Sequence, residues 1–289
     1  MTEENKDILL QLLNKHRELG MAEQIDYEKF YLYSIVTHST AIEGSTVTEV
    51  EAQLLFDEGI TSNKRSIVEQ NMNIDLKAAY DYGYAWIKRH EDITVESLIK
   101  LASKVMARTG SEYNTLGGSF DASKGELRKV NVTAGAGGRS YMNVFDKPND
   151  QNKTCFNFGM ARKGGIESNY LKVPQRLEAF CKELNARRKA IDPSDICAIY
   201  DLSFWAHFEL VTIHPWADGN GRTCRLLMNL LQMEYGLLPT KVLKEDKAEY
   251  IQALIDTRDK EDINIFLDCM AHLHISHLQH DIKQYEESL

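Results

Sequence analysis

Apolar positions recur with a helical period over most of this chain. Residues 3–19 place Ile8, Leu9, Leu12 and Leu13 on one side, and Gly20 stops the run. A second helical run extends from about Asp26 to Ile42, carries Phe30, Tyr31, Ile35 and Val36, and breaks at Glu43-Gly44. Thr48-Glu49-Val50-Glu51 has the spacing of a capping box and opens a third helix that ends near Gly59. A fourth helix is expected from about Asn63 to His90, and Thr94 caps a fifth that reaches about Ala107.

The pattern changes at Thr109. From there to about Lys172 the chain is rich in Gly, Ser, Asn and Thr, a stretch too long for a plain connector in a compact domain. Two β-prone pieces, 127–132 and 139–144, flank Gly135-Ala136-Gly137-Gly138 and predict an exposed hairpin. Helical patterning resumes at Val173, with Pro174 suited to a first turn. Asp192-Pro193 opens a long apolar helix that runs to Ile213. Leu226, Leu227, Leu230 and Leu231 form the core stripe of the next helix, which Gly236 closes. Pro239 marks a break, and two helices follow at about 245–258 and 261–285. The expected fold is mainly α with one small β element.

Composition narrows the function. The 43 acidic residues outnumber the 34 basic ones, the net charge is −9, and no basic tract interrupts this. A nucleic-acid surface is therefore not expected. The five cysteines are widely spaced, odd in number and without a CxxC, which argues against a disulfide framework or a zinc site and for reduced thiols in the cytoplasm. The polar, acidic N-terminus is unlike a signal peptide. No apolar run approaches the ~20 residues that a membrane span requires, so no membrane partner is expected. His272, His274, His277 and His280 recur at helical spacing, but no accompanying ligand pattern makes them a metal site; a partly buried helix face is the better reading.

The chemistry concentrates in residues 214–225, His-Pro-Trp-Ala-Asp-Gly-Asn-Gly-Arg-Thr-Cys-Arg. They fall between two apolar helices. Gly219 and Gly221 permit a tight loop and leave backbone N–H groups uncovered at the start of a helix, where the dipole favours an anion. Arg222 and Arg225 share one helix face. His214 is suited to accept a hydroxyl proton at neutral pH. Asp218 could serve as a turn carboxylate, or beside phosphates as a Mg²⁺ ligand. The block reads as a phosphate cradle next to a general base.

This segment resembles the signature of the Fic family, H-P-F-x-[D/E]-G-N-G-R-x-x-R, with Trp216 where Phe is usual. The resemblance continues in Gly236-Leu237-Leu238-Pro239, and Gly125-Glu126-Leu127-Arg128 with Val130 or Val132 is similar to the start of the family's hairpin flap. It implies a mainly α Fic-fold helical bundle with a small β-hairpin flap. The Fic core maps onto 94–240, after an N-terminal helical region (1–93) and before C-terminal helices (241–289).

The implied activity is transfer of AMP from ATP to a Ser, Thr or Tyr hydroxyl of a protein. By that resemblance His214 deprotonates the hydroxyl and Asp218 holds Mg²⁺. Gly219, Asn220 and Gly221 form the anion hole, Arg222 contacts the phosphates, and Arg225 takes the γ-phosphate. Ser39-Thr40-Ala41-Ile42-Glu43-Gly44 matches the family's inhibitory pattern [S/T]-x-x-x-E-[G/N]. It implies that Glu43 pairs with Arg225; Ser39, four residues before Glu43 and so on the same helical face, and Gly44 complete the inhibitory pattern. Without the downstream motif the same six residues read simply as a helix end. Self-modification and homo-oligomers are further expectations of the resemblance. Three alternatives keep the same residues: AMP removal, transfer of another phosphate-containing group, and a catalytically silent nucleotide-binding module.

Overall fold

The computed structural model describes residues 1–136, 139–140 and 169–289. Five helices precede the glycine-rich region: α1 (Glu3–Glu18), α2 (Tyr27–Ile42), α3 (Glu49–Glu58), α4 (Ile67–Ile87) and α5 (Val95–Val105). Five follow it: α6 (Val173–Ala190), α7 (Ile196–Ile213), α8 (Asn220–Glu234), α9 (Lys247–Lys260) and α10 (Asn264–Ser288).

Side-chain caps set several of the starts. Glu51 N–H donates to Thr48 Oγ1 at 3.3 Å while Thr48 N–H donates to Glu51 Oε2 at 2.9 Å, a complete capping box. Ser66 and Glu69 build a second box that starts α4 a few residues later than the pattern suggested. Thr94 and Ser97 cap α5 in the same way.

The centre of the bundle is α7. Its 18 residues have a mean hydropathy of 1.3, enough by length and composition for a membrane span, contrary to the expectation that no run came close. Here that apolarity faces protein: α7 packs most extensively on α8 and also against α6, α10 and α1. Leu226, Leu227, Leu230 and Leu231 of α8 are all buried against this core. A buried polar network then fixes the chain beyond α8. Tyr80 Oη donates to Asn229 Oδ1 at 2.6 Å, Asn229 Nδ2 to Thr240 O at 2.8 Å, and Thr240 N–H to Gln232 Oε1 at 2.7 Å. These bonds hold the segment that leads into α9.

The β structure differs from the predicted hairpin. Strands β1 (Glu112–Thr115) and β2 (Gly118–Asp121) form an antiparallel hairpin, and a second, minimal pair joins β3 (Gly135–Ala136) to β4 (Arg139–Ser140). In the first, Tyr113 faces Phe120 with ring centroids 5.0 Å apart. Its alternation is hidden by polar residues. Residues 127–132 are not a strand. Their backbone is engaged elsewhere, because Arg128 N–H donates to Pro215 O at 3.0 Å and Lys129 O accepts from Thr115 Oγ1 at 3.0 Å. Residues 141–144 lie outside the described residues.

The C-terminal histidines on α10 are dispersed. His274 is buried with Nε2 3.1 Å from Tyr200 Oη, His277 Nε2 is 3.1 Å from Asp246 Oδ2, and His272 and His280 are exposed. Among the described residues no group of three His, Cys, Asp or Glu side chains could hold a metal.

Candidate active site at the α7–α8 junction

The loop between α7 and α8 is closed by its own side chains. Asn220 Oδ1 accepts from Trp216 N–H at 3.0 Å and Asn220 Nδ2 donates to Trp216 O at 2.8 Å. Trp216 is buried, and its indole N–H donates to Gly125 O at 2.9 Å. The buried aromatic at this position therefore carries a specific hydrogen bond as well. The Asn220 side chain is committed to the loop, so within the predicted anion hole Asn220 offers only its backbone.

His214 ends α7 in the left-handed region, at φ 53 and ψ 62, with its N–H on Leu210 O at 3.1 Å. A carbonyl only accepts, so the 3.2 Å contact between His214 Nδ1 and Val211 O places the proton on Nδ1. In the neutral ring Nε2 then carries the lone pair. Burial is the main reason the His214 pKa falls to about 4; the Val211 contact opposes the fall and the Arg128 charge adds to it. The imidazole is uncharged at neutral pH.

Gly219 caps α8 at φ 76 without a side-chain hydrogen bond to the helix. The first N–H groups of α8 thus lack a side-chain cap. The two glycines sit where side chains would collide. A Cβ on Gly219 would fall 2.6 Å from Met106 Sδ, and one on Gly221 would fall 2.3 Å from Glu43 Oε1 and 3.0 Å from Arg225 Nη1. A carboxylate oxygen already occupies the place at the helix N-terminus where an anion belongs.

That carboxylate comes from the end of α2. Arg225 is 3% exposed, and its Nη2 donates to Glu43 Oε1 at 2.7 Å and to Ser39 O at 2.9 Å, while Nε donates to Ser39 Oγ at 2.9 Å. The two residues predicted to act together from opposite parts of the chain are in contact. Gly44, at φ 105, lets the chain turn away, and Ser45 N–H reaches back to Thr40 O at 3.1 Å. Burial opposes ionisation of Glu43, but the Arg225, Arg222 and Lys247 cations outweigh it and lower its pKa below the ordinary value. Arg225 is raised: burial works against its charge, and Glu43 more than compensates.

Arg222 is buried, with Nη2 3.1 Å from Met106 Sδ and 3.6 Å from Asp218 Oδ1. Its Nε and Nη1 have no hydrogen-bond partner among the described residues. Two unsatisfied donors on a buried guanidinium are what an anion would satisfy. Asp218 is 59% exposed at the rim, and its Oδ1 accepts the Gly219 N–H at 2.6 Å.

These groups surround a cavity of about 220 Å³ lined by Glu43, His214, Asp218, Gly221 and Arg225, with Lys247, Tyr250 and Ile251 from α9. Nothing in the sequence pattern announces the α9 contribution. Tyr250 is buried, its Oη is 2.9 Å from His207 Nε2, and its ring centroid is 5.9 Å from Arg225 Cζ. Nothing local in the α9 pattern distinguishes Tyr250 from an ordinary core aromatic.

Comparison with known proteins agrees with this geometry. Residues 92–232 match the Fic/DOC family. The chain is 28% identical over 230 residues to protein adenylyltransferase fic-1 of Caenorhabditis elegans, covering 78% of this chain and 36% of that one. To protein adenylyltransferase Fic of Drosophila melanogaster it is 25% identical over 240 residues, covering 83% and 39%. It thus spans under two fifths of the length of these curated relatives. Among solved structures, a Fic-1 fragment from C. elegans superimposes with a TM-score of 0.66 at 22% identity, over 99% of this chain and 74% of the fragment. A Fic domain containing signaling protein from Bacteroides thetaiotaomicron gives 0.69 at 18% identity, over 97% of both chains. The chain carries a Fic/DOC domain over residues 92–232.

Proposed function

We propose that this chain is a protein adenylyltransferase that transfers AMP from ATP to a side-chain hydroxyl of a protein, and that Glu43 holds it in a resting state. The observation that carries the reading is the common cavity. A neutral imidazole, an uncapped helix N-terminus and the buried Arg225 face the same space, a carboxylate from α2 occupies part of it, and the buried Arg222 lies beside Asp218 at its rim.

In the released state the Glu43 carboxylate gives way to the terminal phosphate of ATP, and Arg225 exchanges one anionic partner for another. Arg222 and the first N–H groups of α8 hold the remaining phosphate oxygens. His214 Nε2 takes the proton of the target hydroxyl. That oxygen bonds to the α-phosphorus as the bond to the β-phosphate oxygen breaks, and pyrophosphate leaves. Positioning and preorganised charge supply most of the acceleration in such transfers. Asp218 fits a Mg²⁺ ion: a single exposed carboxylate on the cavity rim suits a hard cation that draws its other ligands from phosphate and water. Such an ion would neutralise phosphate charge.

The test uses ATP labelled at either the α- or the γ-phosphate. With Glu43→Gly protein, α-label is expected to stay on protein and γ-label is not, with an added AMP by mass. His214→Ala in the same background is expected to abolish labelling. Retained γ-label, or no α-label with any protein acceptor in a cell lysate, overturns AMP transfer. Equal labelling by Glu43→Gly and the parent removes the inhibitory role.

A further inference from the structure

Arg128 is a buried cation whose hydrogen bonds go to main-chain carbonyls. It is 2% exposed, and burial lowers its pKa to about 10. Nε donates to His214 O at 2.7 Å, Nη1 to Val130 O at 2.8 Å, and the Arg128 backbone N–H to Pro215 O at 3.0 Å. Nη2 has no hydrogen-bond partner among the described residues. One residue thus grips two consecutive carbonyls, those of His214 and Pro215.

Holding both carbonyls fixes the peptide planes after His214, and with them ψ of His214. That residue has φ 53 and ψ 62, a conformation that costs a non-glycine residue roughly 1–2 kcal/mol and persists only where its surroundings impose it. The left-handed turn reverses the chain at the end of α7, and in that geometry the imidazole lines the cavity. Packing alone would not call for a guanidinium here. Burying a charge is costly unless it is well hydrogen-bonded, and an apolar side chain of similar length would fill the volume without that cost. The Val130 contact adds a second link: it holds the chain just before β3, the first strand of the small hairpin, and Ala134 at the end of this stretch lines the cavity.

We propose that Arg128 is a positioning residue for the transfer reaction, clamping the His214 main chain so that the imidazole is aligned with the cavity and tying the root of the β3–β4 hairpin to the same point. The inference rests on the transferase reading of this site. Arg128 acts through His214 and needs no contact with nucleotide.

The experiment uses the full chain carrying Glu43→Gly, with Arg128→Met, which keeps the length and removes the donors, and Arg128→Lys, which keeps the charge and loses the fork. Label transfer from α-labelled ATP gives kcat and KM. Histidine labelled with ¹³C and ¹⁵N reports the ring tautomer, the His214 signal being the one missing in His214→Ala. Arg128→Met is expected to lower kcat about 100-fold, the scale of an ångström-sized misplacement. KM for ATP stays unchanged, and the Nδ1–H signature of His214 is lost. Arg128→Lys recovers part of both, and it carries the test if Arg128→Met does not fold. Parent-like kcat and His214 signal overturn the proposal, and so does a fall in kcat with an unchanged His214 signal. If the Arg128-intact protein transfers no label, the transferase reading fails. The His214 signal still decides whether Arg128 is a clamp.

Discussion

Arg225 donates to three oxygens of one short segment: Glu43 Oε1 at 2.7 Å, Ser39 O at 2.9 Å and Ser39 Oγ at 2.9 Å. Glu43 alone is therefore not the clamp; the end of α2 wraps the guanidinium. The segment is anchored from behind, since Thr40 Oγ1 donates to Asn73 Oδ1 of α4 at 3.1 Å. Two of the three hydrogen bonds go to Ser39 and do not depend on the Glu43 carboxylate.

Ser39→Ala removes the acceptor of a buried, charge-assisted bond, worth about 1.5 kcal/mol. It is expected to tighten ATP binding by up to about tenfold, by calorimetry, and to raise transfer less than Glu43→Gly does. An unchanged ATP affinity would show that the Ser39 hydroxyl contributes nothing to the resting clamp.

Gly221→Ala separates cradle from clamp. Its Cβ would lie 2.3 Å from Glu43 Oε1 and 3.0 Å from Arg225 Nη1, so Glu43 must move. The same methyl group stands where an anion approaches the helix N-terminus. The expected outcome is loss of both states: weaker ATP binding than in the parent despite a displaced Glu43. Binding as tight as in Glu43→Gly would contradict a phosphate site at Gly221.

Trp216→Phe restores the residue usual in the family signature, yet it should destabilise this protein. The indole N–H satisfies Gly125 O at 2.9 Å in a buried setting, and phenylalanine leaves that carbonyl orphaned. A loss of about 1–3 kcal/mol is expected from urea unfolding. Parent-like stability would mean that the 125–128 segment relaxes to find another donor.

Buried histidines give the protein an acid-side instability. Burial lowers the pKa of His207 and His274 to about 3 and that of His214 to about 4. In the unfolded chain each titrates near ~6.5. Between about pH 4 and ~6.5 the unfolded state binds more protons, so stability rises with pH through this window and is lost as pH falls. Unfolding at pH 5 should take up roughly one more proton per buried histidine, and His274→Phe should reduce the slope by about one proton. An unaltered slope in His274→Phe would show that His274 is not a source of the pH dependence.

The features legible in the sequence are those set by short-range physics. Helical period, capping boxes such as Thr48–Glu51 and the Gly219–Gly221 loop are local, and local sterics and hydrogen bonding express them directly in residue order. Of the predicted hairpin, β3 and β4 pair across residues 135–140, but the predicted strand at 127–132 is absent, because its backbone partners are Pro215 and Thr115, distant in sequence. The hairpin at 112–121 was not predicted, because its one aromatic pair, Tyr113 and Phe120, sits amid polar neighbours that mask the alternation.

The sequence by itself determined a mainly helical chain, a base and two arginines within one twelve-residue block, and a candidate inhibitory glutamate far upstream. These rest on residue identity and short spacings. Only the tertiary structure decided that Glu43 lies against Arg225, that α9 supplies Tyr250 and Lys247 to the cavity, and that Arg128 grips the main chain of His214. Each joins segments whose separation along the chain carries no signal of proximity. Their meeting is set by how α8 packs on α7 and α4, α2 on α4, and α9 on α10 and against His207 of α7.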